Sequence, residues 1–149
     1  MTYENITIKP LAGTDFCKGV RPLIAGAKQT IDIAVFDWRW YENNASYQIQ
    51  QFNQEIIKAN ARGVRVRAIS NMADIVATLK KLQIQARKTS TLRLMHAKLM
   101  IIDSRYYILG SHNYTQNAMS YNHEVSVILD SPVLLPEFTD YFTKLWNNG

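Results

Sequence analysis

His96 and Lys98 stand two residues apart, a spacing that puts an imidazole and an ammonium on the same face of a β-strand. Four apolar residues, Leu99-Met100-Ile101-Ile102, follow and read as a buried strand of a parallel or mixed sheet, with Asp103 closing it. Asp103 is seven positions from His96 and points away from the pair, so it reads as a support rather than a reactant. Further on come Gly110-Ser111-His112-Asn113, and then Glu124 at the head of another apolar run. Together these residues offer what cleavage of a phosphodiester requires: a nucleophile, neutralisation of charged oxygens and a route for protons. Neutral imidazole is a competent nucleophile near pH 7. Lys98 supplies fixed positive charge, and Ser111 and Asn113 offer hydrogen bonds to non-bridging oxygens. Glu124 is expected to accept a hydrogen bond from the far nitrogen of His96 and so fix its tautomer.

The elements that must position these groups are legible in order. Ile6 and Ile8 lead an extended stretch into a turn at Gly13. Thr14 or Asp15 then caps a helix over about 15–28, whose helical spacing is interrupted by Pro22. Thr30–Phe36 is a strand. It runs into a polar loop, Asp37–Ser46, which carries Trp38, Arg39, Trp40 and Tyr41. Ligands of open α/β sheets bind at strand C-terminal ends, so these rings are candidates to stack on bases or sugar faces. The alternative is a loop folded over the core, or a dimer contact, with Trp38 and Trp40 merely buried. Ser46 opens a helix to about Arg62, ended by Gly63. Val64–Ser70 alternates as a strand, and 72–82 is a shorter helix. After the motif strand, Ser104-Arg105 makes a tight turn and Tyr106–Leu109 returns as a hairpin partner. Glu124–Asp130 is the last strand. Ser131 as N-cap and Pro132 at the first helical position predict a final helix with Leu135, Phe138, Phe142, Leu145 and Trp146 on its buried stripe, ended by Asn147-Asn148-Gly149. The alternation predicts one α/β domain over 1–149, a mixed β-sheet sandwiched between helices, with no repeat, linker or low-complexity segment.

His-x-Lys-x4-Asp followed by Gly-Ser-x-Asn resembles the phospholipase D superfamily, in particular its small bacterial endonucleases that carry one motif per chain. The likeness spans His96 to Glu124 in the motif and most of the chain in the order of elements. It implies an α/β/α fold and a covalent phosphohistidine on His96. It also implies phosphate binding by Lys98 and Asn113, and more weakly by Ser111, with Asp103 as support. The family's cycle uses two such histidines, one as nucleophile and one as general acid. His112 and His123 lack a lysine two positions on, so they are read as structural or peripheral. The missing half is then expected from a second copy of the chain, in a homodimer across the motif, or from another chain bearing the motif.

The net charge of +5 and pI near 9.4 point to a polyanionic partner. Eight basic residues lie between Arg62 and Arg93 against one acid, Asp74. Arg65, Arg67, Lys88 and Arg93 from that run, with Arg39, Trp38 and Trp40 from the aromatic loop, are the candidate nucleic-acid contacts. The single cysteine, Cys17, excludes an intrachain disulfide framework and Cys-based zinc sites. No cofactor and no metal are expected, since lysines can neutralise the phosphate and few carboxylates lie near the motif. The N-terminus lacks a secretory signal pattern and no apolar run is long enough to span a bilayer, so a cytoplasmic protein without membrane attachment is expected. The predicted activity is a metal-independent endonuclease cutting DNA or RNA. The alternatives are a phospholipase D or phosphatidyl transferase with the same site, and a non-catalytic module that binds nucleic acid.

Overall fold

The computed structural model describes residues 2–89 and 92–148. Gly149, expected to end the last helix, lies outside the described residues. The element order is β1 (Thr7–Ala12), α1 (Asp15–Ala25), β2 (Thr30–Val35), α2 (Gln48–Ala61), β3 (Arg65–Ser70), α3 (Ala73–Lys81), β4 (Gln85–Lys88), β5 (Lys98–Ile102), β6 (Tyr106–Gly110), α4 (Gln116–Ser120), β7 (Val125–Asp130) and α5 (Pro136–Asn148).

The strands form one seven-stranded mixed sheet in the order β1-β7-β6-β5-β2-β3-β4. β2, β3 and β4 are parallel, and every other pairing is antiparallel. The period of two sorts each strand between two cores. Ile31, Ile33 and Val35 of β2, Met100 and Ile102 of β5 and Ile108 of β6 pack with α1 to α4. Ala34, Leu99, Ile101 and Tyr107 face the other way, against Leu135, Phe142 and Trp146 of the α5 region. Among the described residues helices therefore cover both faces, α1 to α4 on one side and α5 on the other.

Two helix starts and one strand are among the differences from the sequence expectation. α2 begins at Gln48 rather than Ser46, behind Tyr47 in extended conformation. The final helix starts four residues after Pro132, at Pro136. Ser131 is buried and its hydroxyl turns back to the Val133 backbone. The chain needs residues 132–135 to cross from the sheet to its opposite face, where the Leu135 N–H donates to the Tyr107 hydroxyl at 3.0 Å. β4 was not anticipated from the sequence at all. Its four residues, Gln85-Ala86-Arg87-Lys88, bury only Ala86 and are held by parallel pairing to β3 alone. Such a polar edge strand carries no hydrophobic alternation to read.

The β5–β6 connection turns on Asp103 and Ser104, both at positive φ (54° and 51°), one residue earlier than Ser104-Arg105. The Asp103 carboxylate accepts from the backbone N–H groups of Lys28 (2.9 Å), Gln29 (2.7 Å) and Thr30 (3.0 Å). It thereby ties the hairpin to the start of β2, at the end of the sheet remote from His96.

Candidate active site

The start of β5 meets the ends of β1, β2, β3, β4 and β6 and the start of β7 at one edge of the sheet. His96 lies two residues before β5, and the ladder reaches it because the Phe36 N–H donates to the Ala97 carbonyl at 3.1 Å. Ala97 and Leu99 pack toward α5, which leaves His96 and Lys98 on the other side, exposed and half-buried respectively. The Lys98 Nζ donates to the His96 carbonyl at 2.9 Å and lies 3.1 Å and 3.3 Å from its two ring nitrogens. An ammonium can only donate, so a ring nitrogen facing it must offer a lone pair. Phe36 backs both groups, its ring 4.9 Å from the imidazole and 5.6 Å from the ammonium. Burial holds the Lys98 pKa below its ordinary value, and the negative charge of Glu124 works against that shift.

Gly110 closes β6 at φ 154°. A Cβ there would overlap the Ser126 Oγ, the Ser126 Cα and the Val125 carbonyl, so the close approach of β6 to β7 requires glycine. That approach sets the next three residues. The Ser111 hydroxyl donates to Glu124 in a short bond and accepts from the Val125 N–H at 3.0 Å. His112 is 1% exposed, bonded at Nδ1 to the Ser126 hydroxyl (2.7 Å) and at Nε2 to the Gly13 carbonyl (2.8 Å), and stacked on Phe16 at 4.6 Å. It stitches β6, β7 and the β1–α1 turn together. Asn113 Oδ1 accepts from the Asp37 N–H at 3.2 Å, which leaves Nδ2 as the donor. Two further backbone bonds, Tyr114 to Asp37 and Arg39 to Tyr114 (each 2.9 Å), lock this loop to the one after β2.

Two expectations change here. Within one chain the Glu124 carboxylate is engaged by Ser111 and by the Asn122 amide (3.2 Å), while the side chain against the His96 ring is Lys98. The Ser111 hydroxyl, with its proton on Glu124, positions that carboxylate rather than facing a phosphate. Lys98 is the donor against the His96 ring, and the Asn113 Nδ2 is a donor on the turn bonded to Asp37.

The seven candidate nucleic-acid contacts separate. Trp38 is 1% exposed, with its Nε1 donating to Asn53 at 2.7 Å and its ring edge-on to Tyr114 at 5.5 Å, so it is a core residue and its ring is not open to a base. Arg39 lies on the surface but is held by Asp37 at 2.6 Å, and Trp40 is half-buried beside it. Arg65 pairs with Thr30, at the opposite end of the sheet from Lys98, roughly 17 Å away along the strand. Arg67 makes a two-pronged ion pair with Asp32 (2.8 and 2.9 Å) under the Phe142 and Trp146 rings of α5. Lys88, at the end of β4, and Arg93, in the loop before His96, are exposed at the site's end of the sheet.

Several positioning residues carried no signal in the sequence. The Asn71 amide donates to the Met95 carbonyl, one residue before His96. The buried Gln50 and Asn53 of α2 hold the aromatic loop through the Tyr41 N–H (2.9 Å) and the Arg39 carbonyl (3.1 Å). Polar residues on an otherwise apolar helix face are ambiguous until the loop they serve is in place. Among the described residues no three His, Cys, Asp or Glu side chains gather as a metal site, and no helix is long and apolar enough to cross a membrane.

A mixed sheet between helices, with a His-Lys strand and a Gly-Ser-x-Asn turn meeting at one edge, defines the class. Residues 20–146 match the family model described as a cardiolipin synthase, phospholipase D-like domain. The chain belongs to this phospholipase D-like family. It is 29% identical over 130 residues to a mitochondrial cardiolipin hydrolase of Chlamydomonas reinhardtii, covering 83% of this chain and 54% of the relative. It is 26% identical over 142 residues to a 5'-3' exonuclease of Rattus norvegicus, covering 85% of this chain and 29% of that one. Its fold matches the phospholipase D family member Nuc from Salmonella typhimurium with a TM-score of 0.80 at 21% identity, over 97% of both chains. The chain spans about half the length of the cardiolipin hydrolases it matches.

Proposed function

We propose that this protein is a phosphodiesterase that cuts nucleic acid through a phosphohistidine on His96, in a site completed by a second copy of the chain. The contact of Lys98 with both the His96 ring and its carbonyl carries this reading, because it holds a phosphate-neutralising cation beside a nucleophile with its lone pair available. A ring nitrogen of His96 attacks phosphorus. The bond to the leaving oxygen breaks, and that oxygen takes its proton from the second copy's histidine. Water then attacks the phosphohistidine, giving its proton back to the second histidine and releasing the phosphate end. Lys98 and the Asn113 amide stabilise the charge that develops on the non-bridging oxygens, and no divalent ion is required.

The homodimer is supported by the single His-Lys pair and by the surface around it. Leu92, Leu94, Tyr121, Val125 and Tyr141 are exposed; Tyr141 lines a cavity with His96 and Lys98, and Val125 opens β7 at the motif's end of the sheet. An apolar rim around half an active site is what closed two-fold assembly would cover. Nucleic acid is supported by the basic balance, by Lys88 and Arg93 near the site, and by the exonuclease relative. The cardiolipin hydrolase relatives favour a second reading, a phospholipid diester in the same site. Incubation in EDTA with labelled single- and double-stranded DNA, RNA and cardiolipin vesicles decides between them. Nucleic-acid cleavage with a labelled phosphoryl group trapped on His96 is expected. Lipid hydrolysis without nuclease activity, or activity abolished by chelation and restored by Mg²⁺, would overturn the proposal.

A further inference from the structure

A concave space of about 470 Å³ opens at the same edge of the sheet, between the loop after β2 and the face of α3. Its walls are Trp40 and Tyr41 on one side and Met72, Ile75 and Thr78 on the other, and Glu42 and Asp74 also line it. We infer that this groove seats an amino-bearing nucleobase of a single strand, one step from the phosphate at His96. The inference rests on the nuclease reading above and names a specificity site for it.

Size and rigidity come first. The volume lies in the range of small-ligand sites. The loop is fixed rather than loose: the Tyr41 N–H is bonded to buried Gln50, the Tyr41 hydroxyl accepts from the Gln116 N–H at 3.1 Å, and Trp38 is anchored on Asn53. Aromatic walls held in place are the platforms on which bases of a single strand stack. In a duplex the bases are already paired and stacked, which keeps them out of such a space.

Charge says which part of a nucleotide fits. The one guanidinium on the wall, Arg39, is already bonded to Asp37, at 2.6 and 3.4 Å. Glu42 and Asp74 put two carboxylates on the same lining, and they repel a phosphate while accepting N–H donors. Cytosine, adenine and guanine present exocyclic amino groups to such acceptors; thymine does not. Connectivity places the groove relative to the chemistry. Asp37 bonds Asn113 through its N–H and opens the loop whose next residues form the wall. The groove wall thus begins a few residues from the Asn113 contact, and the base proposed to enter it is the one adjoining the bound phosphate.

The test uses the His96→Ala protein, so that binding is read without cleavage. Oligo-dC and oligo-dT of equal length carry the same phosphate charge and differ in the amino group. Tryptophan fluorescence titration is expected to give about fivefold or greater preference for oligo-dC, the low end of what a good base-edge contact supplies. Asp74→Ala and, independently, the groove-filling Thr78→Trp should bring that ratio close to one while both strands still bind with a steep salt dependence. Equal affinity in the parent protein, or a ratio that survives both variants, overturns the base site and leaves the nuclease proposal standing. Failure of any oligonucleotide to bind, with cardiolipin vesicles hydrolysed by the wild type, removes the nuclease proposal itself.

Discussion

Glu124 stands between the turn that holds Ser111 and the ammonium of Lys98, and its charge is one of the two influences on that ammonium. Burial pushes Lys98 toward losing its proton, and Glu124 pulls it back. In Glu124→Gln the amide can still accept from Ser111, but the pull is gone. The Lys98 pKa should fall further, so the alkaline limb of the pH–rate profile should move to lower pH, with a rate loss of roughly 10²-fold at neutral pH. An unmoved alkaline limb would separate Glu124 from Lys98. Asp103 acts at the other end of its strand, on stability. Its own burial would raise its pKa, but three backbone N–H donors from Lys28 to Thr30 outweigh that and hold it below the ordinary carboxylate value. A depressed folded pKa contributes stability above the unfolded value, near 4, and loses it as pH falls through the folded value. Asp103→Asn should therefore cost about 1–2 kcal/mol at pH 7 by thermal unfolding. The gap from the wild type should narrow as the pH drops below about 4.

At the scale of elements, the basic segment divides into structural and exposed parts. α5 packs on the sheet through Arg67 and Arg87, whose guanidinium groups lie 5.5 Å and 4.2 Å from the Trp146 ring, while Arg67 also grips Asp32. Arg62 donates to the carbonyls of Ile24 and Ala27, closing the end of α1. Arg67→Ala should lower unfolding stability by about 3 kcal/mol, toward the low end for breaking a buried pair, because both side chains keep some exposure. Denaturant titration measures it. Lys88 and Arg65 offer the complementary comparison. Lys88→Glu, at the site's end of the sheet, should weaken oligonucleotide binding and lower its salt dependence by about one phosphate contact. Arg65→Glu, at the remote end, should change either by far less. Equal losses would place the nucleic-acid path along the whole edge of the sheet.

For the whole molecule, the question is how a half-site becomes a site. A cavity of about 320 Å³ is lined by His96, Lys98, Leu109 and Gly110 together with Phe138 and Tyr141 of α5, and Tyr141 is 49% exposed. Its apolar walls adjoin the pair that would do the chemistry. Tyr141→Arg places an unpaired charge in the surface that the second copy is proposed to cover. The variant should retain its circular dichroism spectrum, run as a monomer in light scattering and lose phosphodiesterase activity by about 10²-fold or more, as expected when one partner of a two-histidine cycle is removed. A fully active monomer would refute the shared site.

Local sequence encodes the strand that carries His96 and Lys98, their common face, the hairpin that follows and the glycine-serine-asparagine turn. Each of these is encoded over a few residues: a period of two, a run of apolar side chains, or a backbone that only glycine allows at Gly110. The family resemblance rested on the same local pattern. Tertiary structure alone decided which distant groups those residues meet. Arg65 and Arg67 look equivalent in the sequence, yet one sits at the far end of a strand and the other under α5, because end and face are fixed by pairing β3 parallel to β2. Trp38 and Trp40 stand two apart in one loop, yet Asn53 draws the first into the core and leaves the second on a groove wall. The sequence singles out Glu124 but not its partner, since the approach of β6 to β7 brings Ser111 to it. Local periodicity specifies direction along and across an element; only packing specifies what lies opposite.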